Sequence, residues 1–237
     1  MTTAAVVPAA GRGERLGPGT PKALRDLGGH SILVHAIRAL VSARSVDLVV
    51  VAAPPDGGVE EVRSMLADHV PLAHVVIVAG GATRQQSVAL ALAHLPDEVD
   101  VVLVHDAARP LVPAELVDAV TSAVRAGAPA VIPVLGVADT IKQIDEGGRV
   151  VRTLDRSELR AVQTPQGFDR ALLAHAHELA QQQGIDDVTD DAGLVERLGH
   201  TVVVIPGHEE AFKVTRPFDL VVAEAVLARR RSSGVMV

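Results

Sequence analysis

Four cations, Arg12, Arg15, Lys22 and Arg25, lie between Gly11 and Arg25 against a single acid, Glu14. The whole chain carries a formal charge of -7, so a local excess of three positive charges (four minus one) stands out. The segment opens as Gly11-Arg12-Gly13-Glu14-Arg15-Leu16-Gly17 and continues to Pro21-Lys22. Glycine lets a phosphate approach the backbone, whose N–H groups then act as donors. A polyphosphate is the expected ligand. The G-x-G-x-x-x-G spacing misses the dinucleotide fingerprint by one place, and it is not the G-x-x-x-x-G-K-[ST] loop. A tight strand-to-helix turn also needs glycine without any ligand; the interleaved Arg15 and Lys22 favour the anion.

Other segments carry polar groups that could serve the same site. Gly80-Gly81-Ala82-Thr83-Arg84-Gln85-Gln86-Ser87 could let a flat base approach backbone, with Ser87 bonding to the base edge. Thr83 as a helix cap fits the same residues. His105-Asp106-Ala107-Ala108-Arg109-Pro110 offers a carboxylate for Mg²⁺, with an Asp106–Arg109 ion pair shaping the turn as the alternative. His105 reads as structural. In Phe212-Lys213-Val214-Thr215-Arg216-Pro217, Lys213 ends a short strand. It is either an ordinary surface lysine or a cation aimed back at the phosphates. A dispersed group comprises Asp139-Thr140, Arg156, Thr164-Pro165-Gln166 and Thr189-Asp190-Asp191. The acids Asp186, Asp187, Asp190, Asp191 and Glu196 lack the spacing and glycine of a calcium loop, so helix capping explains Thr189 to Asp191 more simply. His175 and His177, two apart on one helix, face apart and make no zinc pair.

These segments must be positioned by strands. Short Val-rich runs at Ala4–Pro8, Asp47–Ala53, His74–Ala79, Asp100–His105 and Ala130–Val134 are apolar on both faces, as buried parallel strands are. Helical patterns at Ser31–Ala43, Gly58–His69, Thr83–Leu95 and Pro113–Ala126 alternate with them. Ser31 is the expected N-cap of the first. The β-α-β repetition predicts an α/β fold, a mostly parallel twisted sheet with helices on both faces. Ligands of such sheets bind at the carboxyl ends of the strands.

After Gly136 the pattern changes. Asp139–Ile144 and Arg149–Leu154 alternate around Glu146-Gly147-Gly148, which predicts a β-hairpin. This arm, about residues 137–158, either pairs with a second subunit or folds onto its own domain. Helices are expected at Asp169–Gln182 and Asp190–Leu198, strands at Thr201–Ile205 and Ala211–Val214, and a final helix from Pro217 to Arg230. A frayed tail from Ser232 is expected to follow.

At 237 residues the chain fits a single large α/β domain, residues 1–237, with the arm as its appendage. Three Phe with no Trp or Tyr leave no stacking platform, and the acidic balance disfavours nucleic acid. The absence of cysteine removes disulfides and thiolate chemistry. No basic n-region precedes the first apolar run and no stretch approaches a membrane span, so a cytoplasmic protein without membrane contact is expected.

Taken in order, these motifs resemble one family. VVPAAGRGERLG with Pro21-Lys22, GGATRQQSV, VLVHDAARP, ADT at Ala138–Thr140, TLDR at Thr153–Arg156, TPQ at Thr164–Gln166, VTDDA and FKVTRP look like 2-C-methyl-D-erythritol 4-phosphate cytidylyltransferases over nearly the whole chain. The resemblance implies a Rossmann-like nucleotidyltransferase fold, a homodimer formed through the arm, and Mg²⁺. It implies transfer of CMP from CTP to a methylerythritol phosphate in non-mevalonate isoprenoid synthesis. It also places roles. Arg15, Lys22 and Lys213 would be the catalytic cations, and Asp106 the metal ligand. Ala9, Ala10, Gly11, Gly13, Gly81, Ala82 and Ser87 would hold CTP. Arg109, Thr140, Arg156, Thr164 and Thr189 would hold the polyol phosphate, Thr140 and Arg156 from the partner's arm. A ribitol 5-phosphate cytidylyltransferase and a non-catalytic nucleotide-binding protein are the competing readings.

Overall fold

The computed structural model describes residues 1–11, 22–185 and 188–233. Strand β1 (Thr2–Pro8) is followed by a two-residue pair, β2 (Asp26–Leu27) and β3 (His30–Ser31), and by helix α1 (Ile32–Val41). Ser31 caps α1 by accepting a hydrogen bond from the Val34 amide. Then come β4 (Leu48–Ala53), α2 (Gly58–Ala67), β5 (Val75–Ala79), α3 (Arg84–Leu92), β6 (Val99–Val104), α4 (Ala114–Arg125) and β7 (Ala130–Gly136). The predicted βα alternation is present, with ends within about three residues of expectation.

The second half contains β8 (Lys142–Ile144), β9 (Val150–Thr153), β10 (Arg160–Val162), β11 (Gln166–Asp169), α5 (Arg170–Gln182), α6 (Asp191–Arg197), β12 (Val202–Pro206) and α7 (Pro217–Ser232). Eight strands form one sheet. Parallel pairing links β5 to β4, β4 to β1, β1 to β6, and β7 to β12. β10 and β11 run antiparallel to β7, and β11 also runs antiparallel to β6. β11 is thus wedged between β6 and β7, while β10 lies along β7 alone; the cis Thr164–Pro165 peptide bond lies between the two. The sequence reading has no strand there, because proline and a polar run carry no strand signal.

Alternation along each strand divides the core. Ala5 and Val7 of β1 join Leu33, Val62 and Val117 from α1, α2 and α4 on one face. Ala4 and Val6 join Val88, Leu173 and Val195 from α3, α5 and α6 on the other. Both faces are therefore dry, which is why these strands are apolar throughout. Where α4 crosses β11, a Cβ on Gly167 would lie 2.6 Å from Val120 Cγ1, so glycine permits that close approach.

The predicted hairpin exists. β8 and β9 pair antiparallel with each other, outside the main sheet, and every residue in them is exposed. The turn is closed by a bond from the Gly148 amide to the Asp145 carbonyl, and Gly148 has a φ of 75°. One expected strand is absent: Ala211–Val214 is instead the end of a short 3₁₀ turn, Glu209–Ala211, followed by extended chain. The His208 ring caps that turn by accepting from the Glu210 amide. The Val214 amide makes an isolated bond to the Ala108 carbonyl, with no ladder to extend it.

Candidate active site

The carboxyl ends of β1, β5 and β6 lie on one edge of the sheet, because the three strands are parallel within it. The loops leaving them converge. A cleft of about 200 Å³ is lined by Ala9, Ala10, Gly11, Gly81, Ala82 and Ser87, together with Asp106 and Lys213. A second cleft of similar volume is lined by Arg109, Thr164 and Thr189 with the same Asp106 and Lys213. Arg84 also lines both. The described residues among those expected to hold a nucleotide thus share one cleft. Three of those expected to hold a sugar phosphate share the next, and the proposed metal ligand and Lys213 stand at the junction.

Close contact between the first two loops depends on Gly80. Its amide donates to the Ala53 carbonyl at 2.7 Å, and an added Cβ would sit 2.7 Å from the Ala10 methyl. Thr83 caps α3 by accepting from the Gln86 amide. Ser87 is buried; its hydroxyl donates to the Thr83 carbonyl at 2.8 Å and accepts from the Gly81 amide at 3.1 Å. It shapes the glycine turn from beneath, so the surface offered to a ligand here is the main chain around Gly81.

Asp106 has three cations around it. Lys213 Nζ is 2.7 Å from Oδ2, Arg84 Nε is 3.4 Å from Oδ1 and Arg109 Nε is 4.0 Å from Oδ2. Burial alone would raise the carboxyl's pKa; Arg84, Lys213 and Arg109 outweigh it and hold the group well below the usual carboxylate range. Lys213 is therefore no loose surface lysine. The Asp106–Arg109 pair is present too, at the outer limit of an ion pair. Arg109 is buried and donates to the Ala211 carbonyl at 2.8 Å and the Val162 carbonyl at 3.1 Å. It thereby ties the segment before Lys213 to the end of β10, and burial pushes its pKa down.

Behind this carboxylate runs a chain of neutral hydrogen bonds. The Asp106 amide donates to Thr164 Oγ1 at 3.0 Å, and Thr164 Oγ1 lies 3.1 Å from His105 Nδ1. His105 Nε2 lies 3.1 Å from the Arg109 carbonyl. The chain is satisfied by a neutral His105 protonated on Nε2, accepting from Thr164. Burial pushes His105 down to about 4, in keeping with that state. His105 is structural, as its sequence context suggested. On the far wall, Asp190 caps α6 by accepting from the Gly193 amide, and it also accepts from buried Gln166 at 2.7 Å.

The sequence profile of the IspD family, 2-C-methyl-D-erythritol 4-phosphate cytidylyltransferase, matches residues 3–229. The chain belongs to this cytidylyltransferase family. It is 62% identical to the enzyme of that name from Streptomyces coelicolor, over 97% of this chain and 86% of the other. The family's structure from Thermus thermophilus is 40% identical, superimposes with a TM-score of 0.77, and covers 97% of this chain and all of that one. A synthase structure from Anaerococcus prevotii, 28% identical, reaches 0.82 over 96% of both chains.

Not every residue assigned through the cytidylyltransferase resemblance falls in the clefts. Gly13 and Arg15 lie outside the described residues, as do Asp186 and Asp187, and of Lys22 only the main chain is described. Thr140 and Arg156 are exposed on the arm and line neither cleft of their own chain. Arg156 instead donates to the Ala138 carbonyl beside it. Arg84 and Gln166 are lining residues to which the sequence reading gave no role of their own. Both stood inside quoted motifs, and the presence of a cation within GGATRQQS was the available signal. A larger groove of about 610 Å³, lined by His35, Arg38 and Glu210 among others, contains none of these residues, and its Arg229 and Arg230 are already paired with Glu210.

Proposed function

We infer that this protein transfers CMP from CTP to 2-C-methyl-D-erythritol 4-phosphate, releasing pyrophosphate and forming CDP-methylerythritol for isoprenoid precursor synthesis. The observation that carries the reading is the junction of two clefts at Asp106 and Lys213, in a chain of this family. CTP occupies the Ala9–Gly11 and Gly81–Ala82 cleft, and the sugar phosphate the Arg109–Thr164–Thr189 cleft. An oxygen of the sugar phosphate then attacks the α-phosphorus in line, and the bond to the β-phosphate oxygen breaks. The nucleophile already carries charge, so no general base is required. Lys213 lies where the two anions meet, and with Arg15 and Lys22 it stabilises the charge that develops.

Asp106 suits a Mg²⁺ ion. Magnesium is bound by one or two carboxylates plus substrate phosphates and water. Asp106 is one ionised carboxylate at a strand end, and no cluster of three or more acidic or histidine ligands gathers among the described residues. When bound, the metal supplies neutralisation of phosphate charge. A homodimer belongs to the same proposal, because Thr140 and Arg156 line neither of the two clefts of their own chain and, among the described residues, the outer edges of β8 and β9 have no strand partner. A cytoplasmic location follows from the use of CTP. Among the described residues no helix is long and apolar enough to cross a membrane.

A pyrophosphate-release assay with CTP and either methylerythritol phosphate or ribitol 5-phosphate tests the assignment. Turnover with the first is expected; turnover only with the second would transfer the assignment to the other polyol.

A further inference from the structure

Arg84 opens α3 and faces two carboxylates at once. Its Nη2 lies 2.7 Å from Asp191 Oδ2, whereas its Nε lies 3.4 Å from Asp106 Oδ1. The Asp191 contact is an ion pair without hydrogen-bond alignment and the Asp106 contact a long hydrogen bond; because charge attraction grows as distance shrinks, Asp191 is the principal charge partner and Asp106 the secondary one. Asp191 is itself fixed. It is 1% exposed, and its Oδ1 lies 2.9 Å from Nε2 of buried His177 on α5. Its two oxygens are thus turned one to the helix behind and one to the arginine in front.

The consequence concerns the front carboxylate. Asp106 Oδ2 is taken by Lys213 at 2.7 Å, so Oδ1 is its less engaged oxygen. With Asp191 neutralised, Arg84 would face one carboxylate in place of two. Its guanidinium would close onto Oδ1, and both Asp106 oxygens would carry tight cation contacts. We propose that Asp191, seated by His177, is a positioning residue that keeps Arg84 at 3.4 Å from Asp106 Oδ1, so that this oxygen is only weakly engaged and stays available to a divalent cation. The inference rests on the reading of Asp106 as the metal carboxylate, and it assigns the buried Asp191–His177 pair a task beyond capping and packing.

Mn²⁺ binding to the full chain with CTP and no sugar phosphate provides a readout free of turnover, followed by the water-proton relaxation enhancement over a protein-free Mn²⁺–CTP control. Removal of partners behind a metal ligand weakens binding by about tenfold or more, and Asp191→Asn is expected to do so. Asp191→Glu, which keeps the carboxylate, should stay close to the parent. In the double variant Asp191→Asn/Arg84→Met no guanidinium remains to close the site, and affinity should return to within roughly twofold of the parent, a non-additive result. Parental affinity in Asp191→Asn, or a double variant as weak as the single, would overturn the proposal. Asp191→Ser, equally uncharged, carries the same expectation if the amide does not fold. Asp106→Asn separates the two readings: undiminished Mn²⁺ affinity there would remove Asp106 as the metal ligand, and this inference with it.

Discussion

Lys213 at the junction and His105 buried behind it allow separate tests of chemistry and of stability. Lys213 bonds Asp106 at 2.7 Å, and its side chain is part-exposed. Lys213→Ala is expected to lower kcat by at least ~100-fold, the scale of removing one preorganised charge from a transition state, while the circular dichroism spectrum is unchanged. Normal pyrophosphate release from this variant would refute a catalytic role. His105 is pushed down to about 4 in the fold from an ordinary 6.5. Between those values the unfolded chain binds a proton that the folded chain does not, so stability rises with pH across this window and is lost on acidification. The contribution is about 3 kcal/mol over the window. Urea melts at pH 6.5 and 4.5 should show the loss, and a folded His105→Gln variant should show less of it. The character of each residue was visible in the one-dimensional chain: a lysine in KVTRP, a histidine between an apolar strand and Asp106. That Lys213 meets Asp106 was not, because about a hundred residues separate them.

At the scale of elements, the βα repeats were legible because buried parallel strands are continuous Val-rich runs and amphipathic helices have their own period. Strands β10 and β11 were not. Their partners β6 and β7 supply hydrogen bonds that override the weak strand signal of RAVQTPQGFD. The contact between the β1 and β5 loops likewise depends on a glycine whose need for small size appears only in three dimensions. Gly80→Ala would place a methyl 2.7 Å from Ala10 Cβ and 3.0 Å from the Ala53 carbonyl oxygen. The backbone cannot yield cheaply there, so a loss of roughly 1–3 kcal/mol is expected in chemical denaturation, with weakened CTP binding by calorimetry. Unchanged CTP affinity would show that the two loops do not form one nucleotide surface.

For the whole molecule, the proposed arm exchange makes a stoichiometric prediction. Lys213→Ala and Arg156→Ala chains are each expected to be nearly inactive alone. In a mixed dimer one site carries both changes and the other carries neither, so random reassortment should restore about a quarter of parental activity. No recovery, in a mixture shown by mass spectrometry to contain mixed dimers, would place Arg156 outside the partner's site. By itself the sequence determined the mostly parallel α/β sheet, the hairpin arm, the order of the loops and the family, because periodicity, turn residues and short motifs are local properties. Only the tertiary structure decided which of those loops touch, that Arg84 and Lys213 converge on Asp106, and that Asp191 and His177 stand behind them. Those contacts join residues far apart in the chain, and the sheet's crossovers bring them together.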